Sequence, residues 1–296
     1  LEVRNNINPA ITVLDNYELL WDIESGGVDY VRTLQGNIAR LQYNYDGKYL
    51  FSASGRYDGS SQFSKGQKYG FFPSVSVGWN VSDEKFWDSM KGIVNSFKVR
   101  GSYGTTGNDR FTPYSNQSVV EIGRDYVFGS DNASPDINNP SSDEINLGTT
   151  QLEYGNPKLR WETKVEQNFG YDLGLFKNKL IFSSDFYRSE VKDLLYQVVN
   201  PPSSGVSGEY RSTVFNVGDM TNTGIEYGAK YNHSANSGFK WSLSATYTSN
   251  DNIVTKTSPN NPVVNLDNSF ISSGGVRELV SVIREGYEVA AFFLRQ

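Results

Sequence analysis

Few side chains in this sequence belong to the types that perform covalent chemistry. The 296 residues include no cysteine and one histidine, His233. Thiol nucleophiles, disulfides and cysteine zinc sites are therefore excluded, and a Ser-His-Asp triad would have to use that one imidazole. Because His233 follows Asn232 in a predicted tight turn, we interpret it as a solvated turn residue.

Two groups of acidic residues are candidates for other kinds of site. Asp83 and Glu84 resemble a glycosidase pair, but their position favours the first turn of a helix, where acids are stabilised. The second group contains Asp131, Asp136, Asp143 and Glu144. Their oxygens suit Ca²⁺, but the spacing does not match an EF-hand loop, so a solvated loop is favoured. The sequence therefore predicts no catalytic, cofactor-binding or metal site.

The composition excludes further classes of protein. The chain has 27 Lys and Arg residues and 33 Asp and Glu residues, so its net charge is −6. This charge is unfavourable for general binding to nucleic acid. The longest apolar run, Val289–Leu294, is far shorter than the roughly 20 residues of a membrane-spanning helix. Since the chain begins at Leu1 and stops soon after that run, we expect it to be a segment of a longer protein.

The dominant pattern along the chain is alternation of apolar and polar residues, which predicts β-strands with two different faces. One face is rich in aromatic residues, which make up 14% of the chain. The other face carries Ser, Thr, Gly, Asn, Lys and Glu. Eight strands are predicted, at 39–45, 49–58, 71–80, 97–104, 164–175, from 180 toward 199, at 225–232 and at 239–248.

Turn residues give each hairpin a predicted register. A loop of Tyr45, Asp46 and a left-handed Gly47 pairs Tyr43 with Tyr49 and Leu41 with Phe51. A loop at Lys177 and Asn178 pairs Leu175 with Leu180 and Leu173 with Phe182. A loop of residues 233–237 pairs Tyr231 with Phe239 and Ala229 with Trp241. One helical stretch is predicted near 82–87, with Ser82 as its N-cap.

The connections between the predicted strands alternate in length. Every second connection is tight or carries the short helix: the ones around Gly47, at 81–96, at 177–178 and at 233–237. The connections between them are longer, at 59–69, 105–163, 200–221 and after 251. This alternation is typical of an up-and-down outer-membrane barrel, whose short turns lie on one side of the membrane. Candidates for its aromatic girdles are Tyr43, Tyr49, Tyr171, Tyr231 and Trp241. A soluble β-sandwich is the alternative, with the same aromatics in its core.

Six stretches, in order, resemble the SusC/RagA family of TonB-dependent outer-membrane transporters. They are Gly47–Ser54 with Arg56–Phe63; Phe72–Trp79; Lys98–Gly104 with Thr106–Asn108; Asn156–Glu162; Asn216–Gly218 with Thr223–Glu226; and Arg284–Tyr287. Each stretch alone is weak, but six in the family's order across most of the chain are specific.

The resemblance implies an all-β fold, an antiparallel up-and-down transmembrane barrel of about 22 strands around a plugged lumen. The eight predicted strands would form part of its wall, with residues 1–296 a partial barrel domain. We expect residues 1–37 to be an outer loop entering the first strand and 105–163 to be a long outer loop. The plug, the signal peptide and the final strands would be absent from this sequence.

The resemblance also implies a function in the bacterial outer membrane. The parent would import a bulky nutrient, a glycan or a peptide, energised through TonB acting on the plug, beneath a SusD-like surface lipoprotein. No enzyme activity, cofactor or nucleic acid is implied. Charged residues of the polar faces would line the lumen: Lys98, Arg100, Lys164, Glu166, Glu226, Lys230 and Lys240. The alternatives are a barrel subunit of a larger outer-membrane complex and a soluble β-sandwich surface-binding module.

Overall fold

The structure is a computed structural model of the chain. It describes residues 4–6, 17–19, 31–127, 145–200, 202–204, 212–234, 238–257, 263–265, 270–273, 276–279, 281–289 and 291–292.

Eight long strands form one antiparallel sheet in which every strand pairs with its neighbours along the chain. The strands are β1 (Leu34–Tyr45), β2 (Tyr49–Ser60), β3 (Tyr69–Asn80), β4 (Val94–Asn108), β5 (Glu162–Leu175), β6 (Leu180–Lys192), β7 (Gly218–Ser234) and β8 (Lys240–Thr257). Their number and order match the alternation in the sequence. The all-β, up-and-down prediction is confirmed, and the sheet is consistent with part of a barrel wall.

The remaining described elements are short. Strand pairs form between Arg4–Asn6 and Tyr17–Leu19, Val119–Val127 and Ile145–Glu153, Leu195–Val199 and Ser212–Asn216, and Phe270–Ser273 and Val276–Leu279. Ser281–Arg284 pairs with both Val263–Asn265 and Ala291–Phe292. Three 3₁₀ helices occupy Val81–Asp83, Lys85–Met90 and Pro202–Ser204.

The two ends of the sheet differ in their connections. At the short-turn end lie 46–48, 81–93, 176–179 and 235–239, and at the long-connection end lie 61–68, 109–161 and 193–217. The predicted loop 105–163 is shorter at both ends than expected. Strand β4 includes residues 105–108, and β5 includes residues 162–163. The outer ends of these two strands are polar on both faces. The alternation of apolar and polar residues therefore does not show where the strands end.

The first turn confirms a left-handed Gly47 but corrects the predicted register. Asp46 and Gly47 have φ values of 53° and 68°, as in the mirror-image turn that favours Asp-Gly. The Lys48 N–H donates to the Tyr45 carbonyl at 3.0 Å. Tyr45 consequently pairs with Tyr49 and Tyr43 with Phe51, so the predicted pairs were wrong by two residues while the faces stayed the same.

The second hairpin forms as predicted, whereas the third does not. Leu175 pairs with Leu180 and Leu173 with Phe182. In the third hairpin His233 pairs with Trp241, and the predicted pairs Tyr231–Phe239 and Ala229–Trp241 were wrong.

His233 itself is not a turn residue, contrary to the prediction. It lies half-buried in β7, with its ring 5.6 Å from that of Trp241 and 6.4 Å from that of Tyr231. Because β7 continues to Ser234, the turn starts later than the sequence pattern suggested.

Two smaller predictions also needed correction. Ser82 does not cap a helix, because it lies inside the 3₁₀ helix Val81–Asp83, which follows Asn80 without a side-chain cap. The strand from Leu180 ends at Lys192 instead of running to Val199, and Asp193 has a φ of 56°. The next strand, Leu195–Val199, leaves the sheet and pairs with Ser212–Asn216.

Most buried apolar residues of the described chain lie toward the long-connection end, in the connections and in the outer ends of the strands. One cluster contains Phe63, Leu159 and Val214, and another contains Val217, Val254 and Ile283. Among the described residues, no second sheet packs against the apolar face of the eight strands. The described single-layer sheet does not match the β-sandwich alternative. The described residues include no helix long and apolar enough to cross a membrane.

Candidate functional site: the two faces of the sheet

The apolar face is aromatic and exposed. One register row crosses all eight strands through Tyr45, Tyr49, Trp79, Val99, Tyr171, Ser184, Tyr227 and Tyr247. Ring centroids along it lie 6.3 Å apart for Tyr49 and Trp79 and 6.4 Å apart for Tyr227 and Tyr247. Leu41 on an edge strand is 63% exposed, and Phe169 in the middle of the sheet is 53% exposed. An apolar surface of this extent marks a contact with lipid or with another protein surface.

The polar face has an arginine at its centre. Arg100 on β4 reaches Asp172 on β5 at 3.2 Å and holds both carboxylate oxygens of Asp185 on β6, at 2.5 and 2.6 Å. A bidentate guanidinium–carboxylate pair fixes direction as well as distance. One side chain therefore ties three successive strands together on this face.

Gly170 makes room for that arrangement. It lies in the same register row as Arg100 and Asp185, directly between them. A Cβ added at Gly170 would lie 2.8 Å from both Arg100 Cζ and Asp185 Oδ1, which is closer than such atoms approach. The absence of a side chain at this position lets the guanidinium lie flat across β5.

Two polar recesses flank this ion pair. A recess of about 660 Å³ lies over β1–β5, and its polar lining comes from Gln42, Asn44, Ser52, Ser76, Lys98, Arg100, Ser102 and Asn168. A second recess, of about 610 Å³, is lined by Lys164, Glu166, Asn168, Asp185, Tyr187, Ser189, Asn222, Glu226 and Asn250. Hydroxyls and amides of this kind bind polar groups through hydrogen bonds without covalent chemistry.

The charged residues predicted for the polar face are unevenly partnered. Lys164 pairs with Glu166 at 2.7 Å on its own strand. Glu226 occupies the register row of Arg100 and Asp185, next to Asp185, but forms no ion pair with a described residue. No sequence motif marks Asp172 or Asp185. The register places Asp185 in the row of Arg100 and Gly170, and Asp172 opposite Lys98 on the same face.

Of the candidate acidic pair at 83–84, Glu84 makes structural contacts at the short-turn end. Glu84 accepts hydrogen bonds from the Tyr49 hydroxyl at 2.7 Å and from Trp79 Nε1 at 3.4 Å, and lies 3.6 Å from Lys48 Nζ. The Tyr49 hydrogen bond, more than the nearby Lys48 charge, holds the pKa of Glu84 below its ordinary value, against the opposing effect of desolvation. Asp83 is exposed and makes no contact with Glu84 that would suggest an acid–base pair.

The other predicted acids, Asp131, Asp136, Asp143 and Glu144, lie outside the described residues. Within the described part of the chain, no group of three or more His, Asp or Glu side chains could hold a metal ion.

At the long-connection end, separate connections are held together. Asn156 donates to the Val214 carbonyl at 3.1 Å, and Asn216 donates to the Arg160 carbonyl at 3.0 Å. Arg160 also pairs with Asp193, whose carboxylate raises the pKa of the guanidinium. Two of the stretches that carry the family resemblance, 156–162 and 216–218, therefore meet in space and support one another.

Comparison with known proteins gives a consistent result. Residues 6–275 match the family described as TonB dependent receptor-like, beta-barrel. TonB-dependent receptor P3 of Formosa agariphila is 32% identical over 257 residues, covering 86% of this chain and 23% of the relative. TonB-dependent receptor SusC of Bacteroides thetaiotaomicron is 27% identical over 269 residues, covering 89% of this chain and 25% of SusC.

Solved structures give the same likeness. The structure of the RagAB peptide transporter superposes with a TM-score of 0.68 at 26% identity, over 86% of this chain and 25% of that chain. The present chain thus spans about a quarter of the length of the proteins that it matches.

Proposed function

Because the chain belongs to the TonB-dependent receptor-like β-barrel family, we propose that it forms part of an outer-membrane barrel through which its parent protein imports a nutrient in a TonB-dependent manner. The two-faced sheet carries this proposal. Its apolar face would contact lipid, and its polar face would line the lumen. The strands contribute structure and hydrogen-bonding groups, with no covalent step.

The nutrient in this proposal is a bulky glycan or peptide. The likeness to the RagAB peptide transporter supports the peptide part of this proposal. The recess lining supports it as well, because amide, hydroxyl and carboxylate groups suit both sugar hydroxyls and peptide bonds. We further propose that a SusD-like lipoprotein covers the long-connection end, which would face outward.

Two measurements on the full-length parent test this function. The first is membrane fractionation with gel mobility before and after boiling, together with identification of co-purifying proteins. We expect an outer-membrane band whose mobility changes on boiling and a co-purifying surface lipoprotein. Co-purification of other large outer-membrane proteins instead would favour the alternative of a subunit in a larger complex.

The second measurement is uptake of labelled oligosaccharides and oligopeptides by cells with and without TonB. We expect uptake of one class to depend on both the parent protein and TonB. Uptake that is unchanged when either is removed would refute the import function.

A further inference from the structure

Exposed apolar residues form a patch in the connections at the short-turn end, beyond the ends of the strands. The connection between β3 and β4 exposes Phe86 by 64%, Met90 by 47% and Ile93 by 64%, and the β5–β6 turn exposes Phe176 by 56%. We call these four residues the turn-end patch. At the end of a sheet, where connections normally meet water, such a group requires an explanation.

The turn-end patch is joined to the apolar face. The Trp87 ring stacks on that of Phe97 at 5.3 Å, and Phe97 shares a register row with Leu173 and Phe182 of that face. Trp87 Nε1 donates to the Val94 carbonyl at 3.2 Å. The connection is thereby held against the apolar side of the sheet and not beneath its polar side.

The two parts of the patch are also joined to each other. The Phe176 N–H donates to the Ile93 carbonyl at 2.9 Å, and the Lys177 N–H donates to Asn95 Oδ1. Both connections belong to the middle of the sheet, between β3 and β6. Further strands added at the edges, beside β1 or β8, would therefore not cover the patch.

Lysines lie in the same two connections as this patch. Lys85, Lys177 and Lys179 are exposed and form no ion pair with a described residue, whereas Lys91 is paired with Asp88 at 2.7 Å. The two connections also contain Asp83, Glu84 and Asp88. Glu84 lies near Lys48 and Asp88 is paired with Lys91, which leaves three unpaired lysines and one exposed acid, Asp83. Long lysine side chains beside apolar groups are suited to a membrane interface, where the stem stays in the apolar region and the ammonium reaches a phosphate.

We propose that the turn-end patch lies in the headgroup region of the periplasm-facing leaflet and binds anionic phospholipid. The inference rests on the proposed outer-membrane location. Phe86, Met90, Ile93 and Phe176 would contact the upper part of the acyl chains, and Lys85, Lys177 and Lys179 would contact the phosphates. Continuity with the apolar face argues for lipid as the partner, and the unpaired lysines argue for an anionic headgroup.

The test uses the full-length parent in phosphatidylethanolamine vesicles with and without phosphatidylglycerol. The variant Lys85→Gln/Lys177→Gln/Lys179→Gln removes three charges from the turn-end patch. The matched control, Lys65→Gln/Lys68→Gln/Lys158→Gln, removes three exposed lysine charges at the long-connection end. The readout is the amount of phosphatidylglycerol retained on the purified protein, measured by mass spectrometry.

We expect the turn-end variant to bind phosphatidylglycerol roughly a hundredfold more weakly at low salt, with the control equal to the parent. Equal retention by both variants, or retention of lipid A in place of phosphatidylglycerol, would overturn the lipid site.

A second readout places a fluorophore at Met90→Cys, for which this part of the chain offers no competing cysteine. Quenching by lipid-borne quenchers is expected, and quenching only by iodide in water would contradict the proposal. A parent protein absent from the outer membrane would instead refute the proposed function, so the two failures are distinguishable.

Discussion

The two faces of the eight-stranded sheet are built by the same strands but are held together differently. On the apolar face, neighbouring strands meet through aromatic and aliphatic side chains that remain largely exposed, such as Phe169. On the polar face, Arg100 ties β4, β5 and β6 through Asp172 and Asp185. The apolar face therefore depends on what surrounds the protein, whereas the polar face is supported by contacts within the chain.

The largest expected effect comes from placing a charge on the wrong face. Phe169→Arg should destabilise the membrane-inserted parent by roughly 2–4 kcal/mol, because a cation would face the middle of the lipid. Asn168→Arg, one residue earlier and on the polar face, is the matched control and should cost far less. Urea unfolding of both variants in lipid vesicles measures the difference. Equal losses would mean that the two faces do not have different environments.

Two glycines, one on each face and at nearly the same level along the strands, allow a second comparison of the faces. Gly170→Ala places a Cβ 2.8 Å from Arg100 Cζ and Asp185 Oδ1, so the ion pair must move, at a cost of about 1–3 kcal/mol. Gly101→Ala on the apolar face meets its nearest atom, Val77 Cγ2, at 3.7 Å, an ordinary contact. We expect that second variant to be nearly neutral in the same unfolding assay. A neutral Gly170→Ala would show that the guanidinium does not need this space.

Two neighbouring acidic residues of the polar face should differ less in their contribution to stability. Asp185→Asn weakens a bidentate pair, and about 1 kcal/mol of stability should be lost, since Arg100 remains one-third exposed. Glu226→Gln, beside it in the same register row, removes no described partner and should leave the unfolding free energy unchanged. A larger loss for Glu226→Gln than for Asp185→Asn would contradict the assignment of Asp185 as the partner of Arg100.

The smallest expected effect is a pH dependence at the short-turn end, where the two faces meet. The pKa of Glu84 is lowered in the folded protein, so its contribution is fully present above the pKa of the unfolded state. That contribution is lost as the pH falls through the folded-state pKa, below the ordinary glutamate range. Glu84→Gln should reduce the loss of thermal stability on acidification. An unchanged acid profile would show that the Tyr49 hydrogen bond is not coupled to folding.

Alternation of residue types predicted the strands and the two faces well, because each face was chemically uniform over long stretches. Register was harder to predict. At Asp46-Gly47 the dipeptide favoured a different turn from the one assumed, and at His233 the strand continued past a residue that resembled a turn. Alternation alone does not determine where a hairpin turns, because a shift of the pairing by an even number of residues leaves the same side chains on each face.

The contacts that cross several strands could not be predicted from sequence alone. Arg100, Asp172 and Asp185 lie up to 85 positions apart and meet only because β4, β5 and β6 are neighbours in a fixed register. The turn-end patch was missed for another reason. Phe86 was assigned to a short capped helix and Met90 to the connection that carries it, and nothing in the spacing shows that this connection lies on the apolar side.

The most direct test of the central claim compares the surroundings of two adjacent residues in β5. Single cysteines at Phe169 and Asn168 of the full-length parent in vesicles would each carry the same fluorophore. We expect the label at 169 to be quenched by lipid-borne quenchers and protected from iodide, and the label at 168 not to be quenched by the lipid-borne reagent. Lipid quenching at 168, or iodide quenching at 169 equal to that of a water-exposed site, would show that this sheet is not a membrane wall.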